Sequence, residues 1–217
     1  QWRTCGDRLD LRRGPAEVTP YLVATHRTPL FRRLSGLDHQ LQVNKVANLR
    51  LAAACLDGLV LEPGERLSFW YHVRKPTARR GFLPGLVLDQ GRMVSDVGGG
   101  LCQLTNLLYW MTLHTPLEIA ERWRHTYDVF PDAGRTQPFA SGATCAWPCL
   151  DLQIRNPTAS TYRLSVTVGD TDLVGRWDAD LPCGLAYEVY EAAHRICNDL
   201  PGVFVRRNLL RRRVYDV

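Results

Sequence analysis

Gly98-Gly99-Gly100-Leu101-Cys102-Gln103-Leu104-Thr105-Asn106-Leu107-Leu108-Tyr109-Trp110-Met111-Thr112-Leu113-His114 is the stretch on which the fold turns. Leu101, Leu104, Leu108 and Met111 recur at helical spacing, and Leu107, Trp110 and Leu113 widen that stripe. A helix apolar around so much of its circumference belongs inside a protein. Three glycines precede it, and glycine adopts backbone angles closed to other residues and allows a substrate to approach the main chain closely. The helix start presents unpaired N–H groups and the positive end of the helix dipole. A thiol there, Cys102, is expected to ionise more readily, and the same N–H groups suit a developing oxyanion. The alternative for Cys102 is a buried structural cysteine beside a glycine turn.

Outward from this helix, Val46, Leu49, Ala53 and Leu56 predict a second helix over Asn44–Asp57, with Gly58 as its left-handed cap. Leu59–Leu61 and Arg66–Val73 read as strands joined by a turn at Glu62-Pro63-Gly64-Glu65, and Leu86–Asp89 with Arg92–Ser95 as a hairpin turning at Gln90-Gly91. Further strands are expected near Leu117–Arg124, Thr126–Val129, Leu150–Arg155, Tyr162–Val168 and Leu173–Trp177, and a hairpin between Ala186 and Val217. The class is α+β: an antiparallel sheet packed on a central, nucleophile-bearing helix. A single domain is expected, with residues 1–43 as an extension packed on the body, 44–178 as the core and 179–217 as a C-terminal extension. No internal repeat argues otherwise.

Composition narrows the class without choosing a function. The chain has 217 residues, 45% hydrophobic and 23% charged, which is enough to bury a core and excludes disorder. No apolar run is long enough to span a bilayer, and Gln1–Pro15 lacks a signal-peptide core, so a cytoplasmic location is expected. The net charge of +5 gathers in arginines near both ends, but no nucleic-acid motif accompanies them, and no nucleic-acid partner is expected. Oligomeric state is not legible. Seven cysteines at irregular spacing, with Cys145-x3-Cys149 the closest pair, fit neither a disulfide scaffold nor a structural zinc site, so neither cofactor nor metal is expected.

A cysteine nucleophile needs a base. His125, in Glu121-Arg122-Trp123-Arg124-His125-Thr126-Tyr127-Asp128, has the most polar surroundings, whereas His72, His114 and His194 do not. Asp151 and Asp128 are candidates to orient the imidazole. Gly99, Gly100, Gln103, Arg122, Arg155 and Ser68 are candidate substrate-binding residues, the arginines through two-pronged carboxylate contacts. A non-catalytic module holding an anionic peptide terminus or phosphate at the helix start remains open, as does a metal hydrolase using some of Cys102, His125, Cys145 and Cys149.

The same residues carry a family resemblance. Asn44-Lys45-Val46-Ala47-Asn48-Leu49, Leu61-Glu62-Pro63-Gly64-Glu65-Arg66-Leu67-Ser68-Phe69, Pro76-Thr77-Ala78-Arg79-Arg80-Gly81-Phe82, the glycine–cysteine block, the block from Glu121 to Asp132, and Asp151-Leu152-Gln153-Ile154-Arg155-Asn156 resemble successive blocks of the VanW family. The match runs in order from about residue 40 to residue 156. It looks like the short members found with B-type glycopeptide-resistance genes. The resemblance implies acyl transfer or amide hydrolysis on a peptide-like or cell-wall-precursor-like substrate, including L,D-transpeptidation through a cysteine acyl-enzyme. Cys102, His125 and Asp151 match the cysteine, histidine and acid of the family blocks.

Overall fold

Helix α1 (His39–Leu56) follows strand β1 (Tyr21–Pro29) in the computed structural model, which describes residues 9–31, 39–89, 91–125 and 137–217. It begins five residues earlier than the periodicity predicts, with the Gln40 amide bonded to the Asn44 side chain at 2.9 Å across that first stretch. Gly58, at φ +79°, turns the chain out of α1. Buried Leu49, Ala52, Ala53 and Leu56 form its inner face.

Strands β2 (Val60–Leu61) and β3 (Arg66–Ser68) come next, then the short helix α2 (Phe69–Val73). Two expectations are corrected here. The two strands do not pair with each other: β2 joins strand β8 (Tyr162–Val168), and β3 joins strand β7 (Gln153–Arg155). Nor does the second strand run on to Val73, because Ser68 caps a helix by accepting the Tyr71 N–H at 3.1 Å. The Asp151 carboxylate accepts the neighbouring Trp70 N–H at 3.0 Å, an interaction spanning 81 residues.

Hairpin β4 (Pro84–Asp89) and β5 (Arg92–Val97) leads into helix α3 (Cys102–Thr112), and strand β6 (Glu118–Glu121) follows. Strand β9 (Asp172–Ala179) pairs with both β1 and β8, giving a four-stranded antiparallel sheet in the order β1-β9-β8-β2. A second sheet runs β3-β7-β6. Among the described residues, strands β10 (Leu185–Leu200) and β11 (Val203–Asp216) pair only with each other as a long ribbon, the expected C-terminal hairpin. The expected strand over Thr126–Val129 lies outside the described residues.

The chain is thus mixed, with mostly antiparallel sheets and few helices, as an α+β class requires. One buried apolar cluster joins α1, α3 and the two larger sheets. Helix α3 lies against β9, where Gly175 makes room for Leu107 and Met111: a Cβ there would stand 3.0 Å and 3.2 Å from their side chains. The Trp177 indole N–H reaches across to Thr112 Oγ1 at 3.0 Å. Burying Leu104, Leu107, Leu108 and Met111 each contributes about 1.5–3 kcal/mol, and this packing fixes where residue 102 sits.

Candidate active site

Cys102 is the first residue of α3, and no side chain caps that helix start. The glycines before it are required by the protein's own packing. A Cβ on Gly99 would fall 2.1 Å from the backbone carbonyl of Gly85 on β4, and one on Gly100 would fall 2.2 Å from Lys45 Cγ on α1. Gly98 and Gly100 also hold positive φ angles of +82° and +92°. The buried Asn48 amide closes the arrangement: its nitrogen donates to the carbonyls of Gly99 and Leu83, both at 2.9 Å, and its oxygen accepts the Leu83 N–H. The space beside Gly99 and Gly100 is occupied by β4 and α1.

The segment 140–150 crosses the start of α3 and is pinned from three sides. Asn106 Oδ1 accepts the Ala143 N–H at 2.6 Å, and Thr105 Oγ1 donates to the Ala143 carbonyl at 2.6 Å. Arg122 lies over the Tyr109 ring, 4.4 Å from its centroid, and donates to the carbonyls of Ala140 and Gly142. Thr144 forms a bridge with Trp123, its N–H donating to the Trp123 carbonyl at 2.8 Å. That bridge brings two elements over Cys102 that are far from it in sequence.

Cys102 Sγ consequently meets Thr144 Oγ1 at 3.4 Å, the Cys145 carbonyl at 3.7 Å and Cys145 Sγ at 3.9 Å. Thr144 Oγ1 in turn lies 3.1 Å from His125 Nε2, so one hydroxyl stands between the thiol and the imidazole. Cys102 and Cys145 are half-buried, and His125 is exposed. The Cys145 thiol, followed by contacts with His125 and Thr144, holds Cys102 well below the usual thiol range despite the opposing effect of burial. Burial pushes the Cys145 thiol well above that range, and its contact with Cys102 pushes it further.

The other residues singled out by sequence are placed differently. Asp151 is 1% exposed and serves β3 and α2: its oxygens accept the Ser68 hydroxyl at 2.5 Å and the Trp70 and Leu152 N–H groups. Among the described residues no hydrogen bond joins Asp151 to His125. Burial raises the Asp151 pKa, with the hydrogen bond from Ser68 opposing it. Ser68 is fully buried between Asp151 and the Tyr71 N–H.

Gln103 ties α3 to the end of β1, its amide donating to Thr28 Oγ1 and the Pro29 carbonyl. Arg122 is spent on the 140–142 backbone. Arg155 stands 3.7 Å from Glu118 at the β7–β6 edge. His114 contacts the Trp110 carbonyl, His194 sits on the ribbon beside Arg206, and His72 on α2 is half-buried with Nε2 unpaired. Asp128 lies outside the described residues. Sequence reasoning misses Thr144, and it weighs Cys145 beside Cys102 and His125 only as part of a metal site, not as a direct thiol–thiol contact. Among the described residues, no cluster of three or more His, Cys, Asp or Glu side chains is placed to hold a metal.

Residues 44–177 match the family described as "VanW like protein". The chain belongs to the VanW family. This VanW chain is 35% identical over 188 residues to the "Vancomycin B-type resistance protein VanW" of Enterococcus faecalis, covering 87% of the chain and 68% of that protein. It is 30% identical over 110 residues to "Uncharacterized protein YoaR" of Bacillus subtilis, covering 50% of the chain and 34% of that protein. No solved structure matches it. No helix among the described residues is long and apolar enough to cross a membrane.

Proposed function

We propose that the chain is a cysteine acyltransferase or amidohydrolase acting on a peptide-like substrate, with Cys102 as nucleophile. One observation carries this reading: Thr144 Oγ1 stands 3.4 Å from Cys102 Sγ and 3.1 Å from His125 Nε2, at the uncapped start of α3. The Cys102 proton passes through the Thr144 hydroxyl to His125, and Sγ attacks the substrate carbonyl. Gln103 N–H already donates to the Gly100 carbonyl at 3.1 Å, so the oxyanion falls to the N–H groups of Leu101 and Cys102. His125 then returns the proton to the departing amine, leaving a thioester on Cys102. Attack by an amine gives transpeptidation, and attack by water gives hydrolysis. Asp151 and Ser68 act at a distance, by holding the α2–β7 wall to which Glu121, at the end of β6, is bonded through the Asp151 N–H and the Gln153 amide.

Resistance to glycopeptides, which the Enterococcus faecalis relative bears in its name, extends to this chain as part of the proposal, as does a cell-wall precursor as substrate. The test is intact-mass spectrometry after incubation with synthetic peptidoglycan stem peptides. An acyl adduct that maps to Cys102 and vanishes in Cys102→Ala is the expected result. Retention of glycopeptide resistance in cells carrying Cys102→Ala overturns the reading in favour of a binding module.

A further inference from the structure

The family reading uses one cysteine, yet the site contains two. Cys145 Sγ is 3.9 Å from Cys102 Sγ, both side chains are half-buried, and both are free thiols. A disulfide needs the sulfurs at about 2.0 Å, so the two must approach by about 2 Å. Cys145 lies between two fixed points, the Trp123–Thr144 bridge and the reciprocal Ala146–Leu150 backbone bonds, so the closing motion falls to the side chains. Among the described residues, Cys55, Cys149, Cys183 and Cys197 have no such sulfur partner: Cys55 and Cys183 bond instead to the backbone carbonyls of Leu51 and Leu185, near neighbours in sequence.

We infer that Cys145 is a resolving cysteine: it captures an oxidised Cys102 as a Cys102–Cys145 disulfide, a reversible modification that withdraws the nucleophile from use. The oxidant class is a hydroperoxide. The Cys102 thiolate attacks the peroxide oxygen, the O–O bond breaks, and Cys102 becomes a sulfenic acid while hydroxide or alkoxide leaves. Cys145 sulfur then attacks the Cys102 sulfur, giving the disulfide and expelling water. Cys102 supplies the two electrons of the first step, and the Cys145 proton leaves with that water. Reduction by an external dithiol reverses the sequence through a mixed disulfide.

The two thiols have the unequal character this order needs. Cys102 is stabilised as thiolate by the Cys145 S–H, whereas burial keeps Cys145 protonated. Cys145 is therefore a poor first target for peroxide but lies against the sulfur it must attack. The inference rests on the proposed function for one property only, an ionised Cys102, and does not require an acyl substrate.

The experiment takes the full chain, fully reduced and freed of reductant, and adds hydrogen peroxide stepwise. Remaining thiols are blocked with iodoacetamide, and peptides are mapped without reduction. We expect a linked peptide containing Cys102 and Cys145, at least a tenfold fall in Cys102 alkylation, and recovery of both with dithiothreitol. Cys145→Ser, which keeps a hydrogen-bond donor beside Cys102 but no second thiol, is expected to lose the link and carry Cys102 on to sulfinic acid, which dithiothreitol does not reverse. Cys149→Ala is expected to behave as the wild type. A Cys102 that stays free in excess peroxide, that over-oxidises equally with and without Cys145, or that links to Cys149 instead overturns the inference. The disulfide and the stem-peptide adduct are separate mass signatures, so either can fail while the other stands.

Discussion

Replacing Gly99 by alanine separates two reasons for the glycine run. A methyl group on Gly99 would lie 2.1 Å from the carbonyl carbon and oxygen of Gly85 and 2.7 Å from its Cα, whereas non-bonded carbons rest about 3.5–4.0 Å apart. Both sides of the contact are backbone, so no rotamer relieves it, and β4 must move off α3 by more than about 1 Å. Overpacking of this kind costs about 1–3 kcal/mol and occasionally more. The movement also loosens the three Asn48 hydrogen bonds to Leu83 and Gly99, at about 1 kcal/mol each. A loss of about 4 kcal/mol lowers Tm by about 8–16 °C in a chain of this size. Thermal unfolding followed by circular dichroism measures it. Gly184→Ala, with open space around its Cβ, serves as control and is expected to melt within about 2 °C of wild type. If Gly99→Ala also melts within about 2 °C while losing activity, the packing argument is refuted and Gly99 is reserved for a substrate.

Thr144→Val removes the hydroxyl between Cys102 and His125 at nearly constant volume. Loss of a hydrogen bond to a charged group is worth about 1.5–3 kcal/mol, so iodoacetamide labelling of Cys102 near pH 7 is expected to slow about tenfold and to need higher pH; unchanged labelling removes Thr144 from the relay. Asp151→Asn is expected to lower stability by about 1–3 kcal/mol in urea unfolding while leaving the pH profile of Cys102 labelling close to wild type, because its oxygens bond to Ser68, Trp70, Leu152 and Gln153; a profile shifted as strongly as in His125→Ala would instead make it an orienting acid. Burial lowers the His72 pKa from 6.5 to about 4. The unfolded chain therefore takes up this proton near pH 6.5 and the folded chain only near pH 4, so the contribution is complete above pH 6.5 and is lost as pH falls towards 4. Its full size is about 3 kcal/mol. His72→Phe is expected to flatten that acid-side loss in unfolding free energies measured from pH 7 to pH 4; equal slopes in the two proteins would contradict it.

What the sequence discloses is local. The Gly58 cap, the β4–β5 hairpin, the start of α3 and the C-terminal ribbon each rest on turn chemistry or on periodicity within a few residues. The break after Ser68 is not of this kind. Arg66–Val73 reads as a strand until Asp151, more than eighty residues later, takes the Trp70 N–H and the Ser68 hydroxyl. The candidate site divides along the same line. Cys102 and His125 stand out because thiol, glycines and imidazole have meaning in short windows. Thr144 matters only because its backbone pairs with Trp123, and no residue-level pattern announces that bridge.

The same division explains why so many candidate binding residues turn out to be committed elsewhere. Arg122, Gln103 and Ser68 are polar residues inside apolar surroundings, and in isolation that pattern suggests a ligand. A buried donor, however, must find a partner within the protein or forfeit its hydration, and these three find one: the 140–142 carbonyls, the end of β1 and the Asp151 carboxylate. Their hydrogen bonds hold the segment 140–150, β1 and α2 around the start of α3. What stands around Cys102 among the described residues is small: two thiols, a hydroxyl, an exposed imidazole and the N–H groups of Leu101 and Cys102, since those of Gln103, Leu104 and Thr105 already donate to Gly100 and Leu101. That set offers proton transfer and an oxyanion site, and Arg124, exposed beside His125, is the nearest described cation in sequence.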